Sequence, residues 1–323
     1  MKNFVIVVLC MFSLLAKAQI SSHFNGGLKE FKELKTRTLI VELLEEDQKV
    51  IKKLDKPKKA DELASYKKMI KLYNDEIVIY VKKYWTLNSN IEYKSQSEVE
   101  ALKKAKNRSY AILRNLRLND LDLDFKSKLY LNVFVYTRIE TNYNSPDAQA
   151  YMPVYSKEEN VLLNESDYKF CFDLLQANIN YIISSKKKIN SEDYVKEMAE
   201  GNCDEIKNKT LLVKESLLYK KVKKESCLEE YGANLNIVSD QVFNDAFVNK
   251  EKGKAVLFSV PYEIAKGGIG PVGQSSLISY KVVVDCETGK ILYLFMPKGF
   301  AVMGQNLFHF MIEKDFKNIK NCK

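Results

Sequence analysis

The chain has 323 residues, of which 46% are apolar and 29% charged, with a formal charge of +9. This composition excludes a disordered protein, and the length predicts two domains. The basic excess is spread over scattered lysines, with Lys186-Lys187-Lys188 the only run of three in a row. It reads as a solvated surface able to meet an anionic polymer.

Residues 1–18 read as a signal peptide. Lys2 supplies the positive start, Phe4 to Leu15 a short apolar run, and Ala16-Lys17-Ala18 a small-x-small cleavage site that leaves Gln19 first. A run of about twelve residues is too short to span a bilayer. Cys10 lies inside that run after bulky Leu9, which argues against a lipid anchor. Cleavage removes Lys2 and Lys17 and so lowers the charge by two. The expectation is a soluble periplasmic or secreted protein, not an integral membrane protein, and in that compartment nucleic acid is no partner.

Residues 19–34 read as a lead-in with a turn at Asn25-Gly26-Gly27. Thr38–Leu43 is a strand rich in β-formers, followed by a charged segment broken at Pro57. Leu63–Trp85 is the strongest helix, with Tyr66, Met69, Ile70, Tyr73, Ile77, Tyr80, Val81 and Tyr84 on one face. Asn90–Leu113 reads as strand, helix, strand, and Ser95 with Glu98 forms a capping box. Strands over Leu129–Ile139 and Ala148–Val154 flank a turn at Asn144–Asp147, and an amphipathic helix over Ser166–Ile183 ends the first half. A short helix then starts at Asn190 or Ser191 and stops at Gly201-Asn202.

The chain then repeats its own pattern. An offset of 144 positions carries Ser95 to Ser239, Ala111 to Ala255 and Leu113 to Leu257, with Val242 in place of Glu98. Continued without gaps, it pairs Tyr136 with Tyr280, Met152-Pro153 with Met296-Pro297, Leu163 with Leu307 and Phe172 with Phe316. Lys209–Lys214 echoes Arg37–Glu42 at an offset of 172 (Thr38 to Thr210), so the second copy has a shorter first helix. The expected fold is α/β, with mixed α+β as the variant: two similar tandem domains at 35–185 and 206–323, joined by a linker and short helix at 186–205. Each is expected to hold a mixed sheet in the order β-α-β-α-β-β-β-α. Many α/β folds share that order, and no motif ties it to one family.

Chemistry is sparse. The histidines are His23 and His309, without a GxSxG or similar nucleophile motif. The repeat singles out two corresponding connections, one with alternating Asp120, Asp122 and Asp124 and one with Gly267, Gly268 and Gly270. The aspartates suit a hard cation but lack calcium-loop spacing. The glycines can present backbone N–H groups to an anion, but a strand follows where a phosphate loop needs a helix. Both sets are therefore candidate ligand-binding residues, with no metal site and no cofactor expected. Five cysteines follow the signal segment, with no CxxC, and Cys203 with Cys227 is the candidate disulfide. The functional expectation is a non-catalytic binding or structural module of the cell envelope, partnered by an envelope protein or anionic polymer. The alternatives are a periplasmic hydrolase using acidic residues and a thiol-dependent redox protein. No catalytic residue is assigned.

Overall fold

The structure, a computed structural model, describes residues 28–117, 128–135, 148–155, 163–185, 191–266, 275–295 and 310–322. It is a mixed α/β arrangement of two five-stranded sheets and several helices. The first part runs α1 (Leu28–Thr36), β1 (Thr38–Leu43), α2 (Gln48–Leu54), α3 (Ala60–Tyr84), β2 (Ile91–Ser95), α4 (Gln96–Lys104), β3 (Tyr110–Arg117), β4 (Lys128–Val135), β5 (Ala148–Tyr155) and α5 (Glu165–Ser185). The second runs α6 (Ser191–Ala199), β6 (Thr210–Lys214), α7 (Lys224–Tyr231), β7 (Leu235–Val238), α8 (Asp240–Val248), β8 (Lys254–Lys266), β9 (Ser275–Asp285), β10 (Ile291–Phe295) and α9 (Glu313–Lys320).

The first sheet has the order β2-β1-β3-β4-β5 and the second β7-β6-β8-β9-β10. In each, the opening three strands are parallel and the closing hairpins antiparallel. Leu39 pairs with Ile91 as Leu211 pairs with Leu235, and Thr38 pairs with Tyr110 as Thr210 pairs with Lys254. The ladders thus reproduce both sequence offsets up to β3 and β8. Beyond that point an ungapped offset fails. Ala111 pairs with Val135, whereas Ala255 pairs with Asp285, six residues beyond the Ser279 that an offset of 144 requires. The second hairpin is longer and carries a bulge between Pro261 and Glu263.

Local signals explain the helix starts. Ser95 Oγ accepts from the Glu98 N–H while the Glu98 carboxylate accepts from the Ser95 N–H, a complete capping box. Ser239 repeats the first half of that arrangement on Val242. The segment read as a lead-in contains helix α1, whose Phe31 and Leu34 reach the core. Two apolar contacts on nine residues are too short a pattern for periodicity to resolve.

One apolar cluster serves both sheets. It takes Leu39, Val41, Ala111 and Leu113 from the first, Tyr73, Ile77 and Val81 from α3, and Phe170, Phe172 and Leu175 from α5. From the other side come Leu212, Val256, Phe258 and Val260 of the second sheet with Phe243 and Phe247 of α8. Phe258 stacks on Phe170 at 4.1 Å, and Phe243 and Phe247 meet its ring edge-on at 5.2 Å each. The α6 segment contributes buried Tyr194 and Val195 to the same core. Leu39 and Leu211 hold the same ladder position, yet Leu39 faces this cluster and Leu211 faces a second one, formed with α7 and α9. The two sheets therefore meet through opposite faces.

Candidate functional site

Asp120, Asp122 and Asp124 lie outside the described residues, as do Gly267, Gly268, Gly270, His23 and His309. The aspartate segment joins β3 to β4 and the glycine segment joins β8 to β9, equivalent steps in the two strand orders. The cysteine pairing differs from expectation. Cys203 forms a disulfide with Cys322, not with Cys227. Their Cα atoms lie 5.9 Å apart, within disulfide reach, while Cys227 is buried in α7 as part of the second core. Cys171, Cys227 and Cys286 are free and buried. Burial holds the Cys171 thiol well above its ordinary range, and pushes Cys227 up to about 11 and Cys286 up to about 12. A reactive thiolate needs the opposite shift.

Two adjoining concavities lie beside the disulfide. One, of about 250 Å³, is bounded by Cys203, Ile206, Lys207, Tyr231, Asn234 and Lys320. The other, about 570 Å³ and more open, runs between α7 and the outer edge of β7, from Lys224 and Leu228 past Leu235 to Val238. Ala233 lines both. Three lysines and no carboxylate line the pair. Their origin is a length difference in the chain. Between β1 and β2 the crossover carries the 25-residue α3, but between β6 and β7 it carries the eight-residue α7. Gly232 ends α7 at φ 112, donating its N–H to the Leu228 carbonyl, a conformation that favours glycine. The short helix leaves Leu228 exposed beside the strand.

A second polar constellation lies under α9. Lys281 on β9 is buried, and its Nζ donates to Ser259 Oγ on β8 at 2.8 Å. Burial pulls the Lys281 amine down to about 7, against the attraction of Asp315. Asp315, on α9, accepts from the Ile312 N–H at 2.9 Å, and its own burial raises its carboxyl. Such a lysine can take a serine proton, but neither concavity reaches it. The group ties α9 to the sheet. Elsewhere, burial pushes the half-buried Glu76 carboxyl on α3 up to about 7, with Asp75 adding to the effect.

Among the described residues, no group of three or more histidine, cysteine or acidic side chains is placed to hold a metal ion. Nor is any helix among them long and apolar enough to cross a membrane. No family model, curated protein or solved structure matches this chain. In the sequence the groove was legible only as the short stretch between Lys209–Lys214 and Asn234.

Proposed function

We propose that this chain is an exported, non-catalytic binding module of the cell envelope, built by duplication of one α/β unit. On this reading the segment before Gln19 directs export and is removed. The two units stand in tandem, the first as scaffold and the second as ligand carrier. The matched strand orders and ladder registers support the duplication. The Cys203–Cys322 disulfide fits an oxidising compartment.

The observation that carries the binding role is the asymmetry of the first crossover. Where the first unit lays a long helix over its sheet, the second has a short one and an open groove along its edge strand. Concave surfaces with apolar walls and a few polar groups are the usual form of ligand sites. The test is export together with site-specific photocrosslinking. Mature protein from the envelope fraction should start at Gln19, and a photoreactive residue at Asn236 should give a discrete, mass-identified envelope adduct. The same residue at exposed Ile79 should give none. Recovery of the uncleaved protein in the cytosol, or equal labelling at both positions, would overturn the reading.

A further inference from the structure

The chemistry of the ligand can be read from β7 itself. The Leu211 N–H donates to the Asn234 carbonyl at 2.8 Å. Alternation along a parallel ladder then turns Asn236 and Val238 toward β6, and turns the backbone groups of Leu235 and Ile237 outward. The Leu235 N–H is taken by the Gly232 carbonyl at 3.3 Å. The Leu235 carbonyl and both backbone groups of Ile237 have no partner among the described residues. They form a short unpaired strand edge on the wall of the groove.

The equivalent edge of the first sheet is guarded. β2 carries Glu92 and Lys94, which pair with each other at 3.1 Å, and Lys82 of α3 lies over the Tyr93 ring. Charges on an edge strand discourage the addition of another strand. At the same ladder positions β7 carries Asn236 and Val238. The far edge of the second sheet is covered as well, since α6 packs on β10 and the Asn202 side chain donates to the Ile291 carbonyl at 3.1 Å. β7 has lost the charges that protect its counterpart, and it lies where the crossover helix has been cut back.

We propose that β7 takes an extended acidic peptide segment as an additional strand of the second sheet. The segment's backbone pairs with Leu235 and Ile237, and its carboxylates face Lys207, Lys224 and Lys320. This is strand addition, in which main-chain bonds supply affinity and the flanking pockets supply selectivity. Lys207 and Lys224 are held by the exposed acids Asp204 and Glu215 at 2.6 and 2.8 Å. Such surface pairs exchange partners at little cost. The described residues give Lys320 no acidic partner.

The proposal rests on the groove reading above, and its test separates the two. Fluorescence polarisation of the mature, disulfide-bonded protein would use a labelled peptide alternating glutamate and valine, its lysine–valine counterpart, and the acidic peptide N-methylated at alternate residues. The acidic peptide should bind, and the other two should each bind at least about tenfold more weakly. Ile237→Pro removes an outward N–H without touching the β6 ladder and should weaken binding by a similar factor. Lys320→Glu should weaken it too. If Ile237→Pro fails to fold, the N-methylated peptide still decides, because it acts on unaltered protein. Equal binding of the N-methylated peptide would overturn strand addition even where Asn236 crosslinks a partner. Equal binding of the lysine peptide would overturn the acidic class, as would an Asn236 crosslink to a second copy of this chain.

Discussion

Lys281 and Glu76 pull the protein's stability with pH in opposite directions. The Lys281 amine falls from its ordinary 10.5 to about 7 on folding. Between those values the unfolded chain binds more protons than the native one, so this lysine makes stability rise with pH across that window. Its cost is complete below pH 7. The Glu76 carboxyl rises from 4.5 to about 7, so stability falls as pH rises through that range. Together the two groups place a dip near neutrality. Lys281→Met keeps the stem and removes the buried charge, and should raise the melting temperature by several degrees at pH 7, with most of the gain lost by pH 10. Melting curves of both proteins from pH 5 to pH 10 check this, and a constant difference across that range would contradict it. Nothing in the sequence marked Lys281. It alternates in step with Val283 on one face of β9, but whether that face is wet or dry depends on α9, which packs from more than thirty residues away.

At the level of elements, α4 and α8 show how far one pattern can be read and where reading stops. Both begin at a serine cap, and both caps were legible because a cap is local chemistry. Their environments differ because of two outward residues. Where α8 has Asn244 and Phe247, α4 has Glu100 and Lys103. The Asn244 side chain accepts from the Ser166 N–H of α5 at 2.9 Å, and Phe247 packs in the shared core under Lys169, whose Nζ lies 4.3 Å from the ring centroid. Hence α8 packs one face into the shared core, while α4 covers only a small cluster of Ile40, Val99 and Ile112. The disulfide was not legible at all, since a pair separated by 119 positions meets only through the fold. Phe258 is the ring on which α5 and α8 converge. Phe258→Ala should cost about 3–5 kcal/mol and leave the two sheets less tightly coupled. Urea unfolding should show a lower midpoint and two resolved steps, whereas an unchanged midpoint would mean that the seam does not depend on this ring.

Over the whole molecule, the Cys203–Cys322 bond ties the end of α9 to the turn that precedes β6, so the second sheet lies inside one covalent loop. A loop of 119 residues removes enough freedom from the unfolded chain to contribute about 4–5 kcal/mol. Reduction should lower the melting temperature, and the double variant Cys203→Ser, Cys322→Ser should melt at the lower value with no response to reductant. Loss of the bond should also loosen the 250 Å³ concavity, because Cys203 is part of its wall.

The joining of the sheets through opposite faces sets a limit on growth. A contact between unlike surfaces does not close on itself in a pair, so each joined unit still offers the surface on which the next one would sit. On the duplicated reading, this protein is a stack two units long with an open end at α4. That end is finished in charge: Glu42 is buried against Arg114 at 3.0 Å, and Glu100 pairs with Lys103 at 2.9 Å on the outer side. An apolar third unit settling there would have to strip water from those ions with no partners to offer in return. On that reading these few side chains act as a terminus, opposing the addition of a further unit to a geometry that would otherwise allow it.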